Sequence, residues 1–378
     1  MNIFISIILV IAGFTISPSG KNIFRNDKKS FKWLWAYHLV FCFYYYFYIR
    51  SDSYMYCLVA SRMTVSEFWD SITDTSTAFI NGLCYPFVNW FGFDYLSLML
   101  FFAFIGFIGF ILLYESILVL IPYNSKLGRI KLFPFLLFLP NLHLWSVAVG
   151  KDSLLFFCVC ALIYSFLNVK KRVVLMVLAS ILIYRIRMHV ALIAVIASGI
   201  AYFLQPKFSI FIKIFMTTIA FAIGVALAPV VFEKFGVEEI SVDAAMEKFD
   251  TFADVMSYGG SAVDISEYSY PLKFLTFWFR PFFFFDRMKI ADIIISFENL
   301  ISILLLIKVM RSRPVRAFKK APFTIQFALI FAVVGSLIFC QVMSNLGLII
   351  RQRNIFFICV LLYYLWVLSY NKQPKQRK

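Results

Sequence analysis

The sequence predicts an all-α polytopic integral membrane protein, a single membrane domain over residues 1–378 built as a bundle of about eleven transmembrane helices. Three observations lead there. Of 378 residues, 62% are hydrophobic and 15% are charged, where an ordinary soluble domain carries about 25% charged residues. The apolar residues come in blocks near the roughly 20 residues a membrane helix needs, not in the short alternating segments of a membrane barrel. Lys and Arg recur in short clusters between the blocks, as cytoplasmic loops do. Lipid offers the backbone no hydrogen bonds, so each block closes its own as a helix.

In order, the expected spans are 2–17, 31–49, 95–121, 132–149, 153–167, 173–184, 190–204, 209–232, 290–310, 323–342 and 354–370. The first is apolar from its start and lacks a basic n-region, so it reads as a span and not a cleaved signal. The shorter blocks at 173–184 and 190–204 need their polar flanks to complete a crossing. Arg25, Lys28, Lys29 and Lys32 follow the first span. Lys126, Arg129 and Lys131, then Lys170, Lys171 and Arg172, then Lys207, then Arg311 to Lys320, then the basic tail fall on the same side of an eleven-helix chain. The positive-inside rule makes that side cytoplasmic, with the N-terminus out and the C-terminus in. All 20 Asp and Glu except Asp27, Glu115 and Glu298 then lie at the outer side.

Two outer loops are substantial. Residues 50–94 contain Thr64-Val65-Ser66-Glu67, a capping box, followed by Phe68, Trp69 and Ile72. That pattern predicts a short interfacial helix. Residues 233–289 form the second. Its part from Glu233 to Lys273 holds nine acids against three bases, with Val242, Ala245, Met246, Phe249, Phe252, Ala253 and Met256 at helical spacing. Ser241 caps that helix and Gly259-Gly260 ends it. Phe274 to Phe285 is aromatic but contains Arg280-Pro281, and reads as re-entrant or interfacial.

Polar groups at membrane depth are costly and mark functional or paired positions. They gather at the outer face: Asp52 with Tyr54 and Tyr56; Asn141 and His143 in an otherwise apolar helix; Gly150-Lys151-Asp152-Ser153; Arg185, Arg187 and His189 between two apolar blocks; Arg280; and Asn345 with Arg351 and Arg353. Five of these arginines run against the positive-inside bias, and their planar forks suit phosphate oxygens. Each group also has a plain use. Arginines snorkel to the interface, Asp152-Ser153 caps a helix, a lone histidine on an apolar face is commonly a satisfied core residue, and Lys151 pairs with Asp152 or a neighbour.

A net charge of +16 would suit nucleic acid, but the basic residues form no single patch, which excludes that class. Seven cysteines show no zinc spacing and read as small hydrophobes, although Cys57 and Cys84 could pair. Three histidines without carboxylates at ligand spacing give no metal site, and no cofactor is implied.

Ser51-Asp52-Ser53-Tyr54, then Thr77-Ala78-Phe79-Ile80 through Gly92-Phe93-Asp94-Tyr95, resemble the N-terminal half of EpsG-like polysaccharide polymerases. Trp145-Ser146 with Gly150-Lys151-Asp152, and Asn345-Leu346-Gly347 with Arg351-Gln352-Arg353, resemble bacterial repeat-unit polymerases of the Wzy type. The motifs are short and span most of the chain. The resemblance implies a multi-pass enzyme of the bacterial cytoplasmic (inner) membrane, with a bundle like that of other lipid-dependent membrane glycosyltransferases (GT-C-like). Its donor and acceptor would be undecaprenyl-pyrophosphate-linked glycans, used to make capsule, exopolysaccharide or O-antigen without a metal. Membrane lipids, a chain-length regulator and a flippase are the other expected partners. By chemistry, Arg185, Arg187, Arg351 and Arg353 would hold the pyrophosphate, with Arg280 in support. Asp52 or His189 would be the base, with Asp152 in reserve. Tyr54, Tyr56, His143, Lys151 and Asn345 would support the sugar. A polyprenyl-phosphate-sugar glycosyltransferase shares the architecture. A flippase fits less well, for want of two similar halves.

Overall fold

Long apolar runs become long helices in this protein. A computed structural model describes residues 2–16, 18, 27–49, 51–206, 209–234, 263, 265, 268–283, 286 and 290–372. The chain divides into two compact units, 1–188 and 189–378, each described by itself.

Unit 1 is built on α6 (Tyr95–Leu120), whose Asp94 carboxylate accepts from the Ser97 backbone N–H at 2.8 Å and so caps its start. Before it come α1 (Asn2–Thr15), α2 (Asp27–Tyr44, continued by a wider turn to Ile49), α3 (Ser51–Arg62), α4 (Val65–Thr73) and α5 (Ser76–Tyr85). After it come α7 (Leu132–Phe135), α8 (Pro140–Ser146), α9 (Lys151–Phe166) and α10 (Val169–Ile186). α6 packs against α9, and α9 against α10; α1 and α2 cover other parts of α6. The Trp35 indole donates to the Val10 carbonyl at 2.9 Å, tying α2 to α1. A Cβ on Gly106 would lie 2.0 Å from the Ser146 carbonyl oxygen, so only glycine lets α6 pass the end of α8.

The span expected at 132–149 is broken. Phe133 and Leu139 are extended, at φ −106°, ψ 130° and φ −65°, ψ 125°, because each precedes a proline. A short 3-10 turn, Leu136–Phe138, lies between α7 and α8. α8 then meets α9 at 114° across residues 147–150. The loop expected at 50–94 to hold one interfacial helix holds three helices. Within it the Thr64–Glu67 capping box forms: the Thr64 N–H donates to the Glu67 carboxylate at 2.7 Å, and the Glu67 N–H to the Thr64 hydroxyl at 3.3 Å. A two-stranded hairpin, β1 (Lys126–Leu127) with β2 (Ile130–Lys131), interrupts the otherwise helical chain. Its pairing of Lys126 with Lys131 has no apolar pattern to announce it.

Unit 2 contains α11 (Met188–Phe203), α12 (Ile210–Lys234), α13 (Tyr270–Phe279), α14 (Ile290–Met310), α15 (Pro314–Lys319), α16 (Phe323–Val342) and α17 (Leu346–Tyr370). α16 and α17 form its main pair, with α13, α14 and α15 packed on α17. α17 begins well before residue 354, the expected start of the last span. The amphipathic helix expected over 242–256, with Ser241 and Gly259-Gly260 at its ends, lies outside the described residues.

Among the described residues, four helices are long and apolar enough to cross a membrane: Tyr95–Leu120, Ala291–Met310, Phe323–Val342 and Leu346–Tyr370. The bent α8–α9 pair makes five if it is one span. On α10, Val173, Val174, Val177, Leu178 and Ile181 are exposed on one face while Ala179, Ile183 and Ile186 are buried. An exposed apolar stripe of that kind suits lipid, not water. The protein is therefore a mostly helical, membrane-embedded chain.

Candidate functional site at the Gly150 turn

The polar residues of unit 1 meet where α8 gives way to α9. Gly150, at φ +140°, turns the chain, and a Cβ there would approach the Tyr56 ring to 2.9 Å. Both facts demand glycine. The turn is pinned from α3 by Ser53, whose hydroxyl donates to the Val149 carbonyl at 3.0 Å. Two of the quoted motifs, around Ser51–Tyr54 and Gly150–Asp152, are therefore neighbours in space.

α9 starts with Lys151 and Asp152 side by side, and they face different partners. Lys151 Nζ donates to Ser76 Oγ and Thr77 Oγ1, each at 2.9 Å. Ser76 sits at φ +62°, an unfavourable conformation for a residue with a Cβ, and such strain clusters at binding and catalytic sites. Asp152 Oδ1 accepts from Arg187 Nη2 at 2.8 Å, with side-chain exposures of 8% and 7%. The carboxylate also lies in the first turn of α9, where the helix dipole favours negative charge. Arg185, one turn-end earlier on α10, donates to the Ile72 carbonyl and lies 5.0 Å above the Phe79 ring. Its Nε is buried and has no hydrogen-bond partner among the described residues. A buried donor without an acceptor is costly, and a ligand oxygen would satisfy it.

The structure places the other candidates as follows. Asp52 is exposed in the first turn of α3. Tyr54 is exposed and meets the Tyr95 ring edge-on at 5.4 Å, whereas Tyr56 is buried beneath Gly150. His143 is fully buried in the core of unit 1, hydrogen-bonded to His38 and the Leu137 carbonyl, so its ring is not presented to the Lys151 cluster.

In unit 2, Arg353 is buried and spends its donors on protein. It reaches the carbonyls of Phe277, Trp278 and Arg280 at 3.3, 2.6 and 3.3 Å, and Asn299 Oδ1 at 2.9 Å. These carbonyls end α13, so Arg353 caps that helix. Arg280 forms an ion pair with Asp286 at 2.5 Å and also reaches the Tyr268 hydroxyl. Asn345 caps α17, accepting from the N–H groups of Gly347 and Leu348. Arg351 is half-buried near the start of α17, and His189 is half-buried on α11 with the Phe339 ring 5.4 Å away. The pyrophosphate roles expected of Arg353 and Arg280 thus compete with structural contacts already made. The same holds for the sugar role expected of Asn345.

Ser76 and Thr77 belong to the Lys151 cluster; Thr77 opens one of the quoted motifs, but neither residue was assigned a site role from the sequence. Their relation to Lys151 spans 75 and 74 positions of sequence. None of the seven cysteines is in a disulfide, so Cys57 and Cys84 do not pair, and all seven are buried. Among the described residues no three His, Cys, Asp or Glu side chains converge to hold a metal ion. Comparison with protein-family models, curated proteins and solved structures finds no match.

Proposed function

We propose that this chain polymerises lipid-linked oligosaccharide repeat units at the outer face of a bacterial inner membrane, with the Gly150 turn as its reacting centre. The observation that carries the reading is the pairing of two buried charges, Arg187 and Asp152, beside the Lys151–Ser76–Thr77 cluster. Buried ionic groups in a membrane chain are expensive and are kept for a use. The resemblance of the flanking motifs supplies the substrate class.

In this reading Lys151 and Arg185 bind the pyrophosphate, with the Ser76 and Thr77 hydroxyls adding donors. The acceptor sugar hydroxyl attacks the anomeric carbon of the lipid-linked chain. The bond from that carbon to the pyrophosphate oxygen breaks, and undecaprenyl pyrophosphate leaves. Asp152 takes the hydroxyl proton. Arg187 acts through Asp152, as a positioning residue that holds the carboxylate in place. Donors fixed before the reaction stabilise the developing negative charge without reorganising. The full set of eleven spans, with the N-terminus out, belongs to the same proposal and puts the Gly150 turn at the outer face.

A deletion strain tests this. It should keep single lipid-linked repeats and lose long chains, and the wild-type gene should restore them. Long chains persisting after deletion would reject the proposal.

A further inference from the structure

The segment from Arg311 to Lys320 joins two long apolar helices of unit 2, α14 and α16, so it lies where both leave the hydrocarbon. Its Arg311, Arg313, Arg316, Lys319 and Lys320 are all exposed. Lys372 is exposed just past the end of α17, and its neighbour Asn371 donates to the Ser312 carbonyl, so it stands beside them. No acid answers these bases from the nearby chain: residues 299–378 contain no Asp or Glu. A topology signal needs only the charges, and a loose loop would supply them. This segment is held instead. Tyr363 Oη donates to the Pro314 carbonyl at 3.1 Å, Trp366 Nε1 to the Ala317 carbonyl at 3.0 Å and Gln326 Nε2 to the Phe318 carbonyl at 3.2 Å. Gln326 in turn accepts from Gln205 Nε2 at 2.6 Å.

With these carbonyls turned inward and Ala317 fully buried, the bases are left facing out. Arg313 sits at φ +52°, ψ 58°, a left-handed conformation that is strained for a residue with a Cβ. The strain fixes the direction in which this arginine leaves the backbone. Met310 and Val315, exposed at 63% and 67%, stand among the bases. Apolar side chains mixed with cations suit the boundary of a bilayer, where one kind enters the acyl layer and the other meets phosphate. We propose that this face binds the anionic headgroup of a phospholipid, with Arg313 and Arg316 set as forks on its phosphodiester oxygens. Anionic headgroups attract a basic segment at the membrane surface, and bases on a fixed backbone lose less freedom on binding than those of a loose loop. RNA presents similar phosphates, but the ends of two spans put this face against headgroups. The binding is independent of the reaction proposed for the Gly150 turn.

The test takes the full-length protein in neutral detergent and counts bound lipids by native mass spectrometry. The probes are short-chain phosphatidylglycerol and, as its neutral match, phosphatidylcholine. The wild type should retain phosphatidylglycerol in preference to phosphatidylcholine. Each lost base weakens such binding about fivefold, so Arg313→Gln with Arg316→Gln should weaken phosphatidylglycerol roughly 25-fold. Phosphatidylcholine binding and the melting temperature should stay as they are, because both side chains are exposed. Lys319→Gln with Lys320→Gln is a second pair, expected to weaken phosphatidylglycerol in the same way, so the result does not hang on the folding of one variant. Equal retention of the two lipids by the wild type would overturn the proposal, as would unchanged phosphatidylglycerol binding in either folded variant. Displacement by equimolar inorganic phosphate would assign the face to a free anion, and displacement by an equimolar RNA oligonucleotide would assign it to nucleic acid; either result also rejects the headgroup.

Discussion

Arg187 and Asp152 form an ion pair at 2.8 Å with both side chains more than nine-tenths buried. Removing one partner of such a pair strands the other charge, at a cost of about 3–5 kcal/mol. Asp152→Ala and Arg187→Ala should therefore lower stability in detergent by that order. The double change Arg187→Met with Asp152→Leu should recover most of it while making no long chains. A double variant as unstable as the singles would show that the pair is not an isolated unit. Arg187→Lys keeps the charge but loses the planar fork, and chain formation should fall sharply. Arg62→Lys, on the exposed end of α3, should be nearly silent.

Lys151 tests the binding role without disturbing the core. Its ammonium is reachable and donates to two hydroxyls. Lys151→Met should cost little stability and reduce chain formation about a hundredfold, the scale of one lost charge-stabilising donor at about 3 kcal/mol. Long chains at the wild-type level in that variant would move the pyrophosphate site elsewhere.

Arg353 should behave in the opposite way. Its bonds to three carbonyls and Asn299 hold the end of α13. Each hydrogen bond from a charged group contributes about 1.5–3 kcal/mol. Arg353→Lys should lower the melting temperature and protein abundance, with chain formation per folded molecule largely kept. Normal abundance with lost activity would return Arg353 to the reacting centre.

The capping box on α4 gives a pH signature. Hydrogen bonds from the Thr64 backbone and hydroxyl hold the Glu67 carboxyl below its ordinary range. A depressed folded value means that the added stability is present above the unfolded value and lost as pH falls through the folded one. Amide protection in α4, corrected for the intrinsic pH dependence of exchange, should be steady at neutral pH and fall in acid, and Glu67→Ala should abolish that change. Thr64→Ala should cost about 1 kcal/mol.

Topology is testable against a quiet background, because every native cysteine is buried. With the C-terminus inside, Tyr258→Cys should react with an impermeant thiol reagent in intact cells and Arg316→Cys should not. The reverse pattern would invert the orientation and remove the outer-face argument.

The apolar blocks behind α6, α14 and α16 were legible because composition alone sets a run of that length. The Thr64–Glu67 box was legible because its partners are three residues apart. The break at 132–150 was legible in part, since Pro140, Asn141 and His143 interrupt the run and Gly150 turns the chain after it; the extended backbone at Phe133 and the 114° bend had no such signal. Arg353, Arg280 and Asn345 stood out correctly as polar groups in apolar surroundings. What they bond to did not, since backbone carbonyls have no side-chain signature. Lys151 was visible, but Ser76 and Thr77 lie in another helix, and no local pattern encodes that meeting.

α17 also measures the bilayer. Its 25 residues make a rod about 37 Å long at about 1.5 Å per residue, whereas the hydrocarbon layer is about 30 Å thick. The stretch from Arg351 to Tyr370 alone matches that thickness, leaving a surplus of roughly one turn. With Arg351 to Tyr370 set in the hydrocarbon and the helix along the bilayer normal, that turn, headed by Asn345, would stand among the headgroups. Arg351 then marks the boundary between oil and headgroup, and a thinner membrane would be met by tilting α17 rather than by drawing its cap into the hydrocarbon.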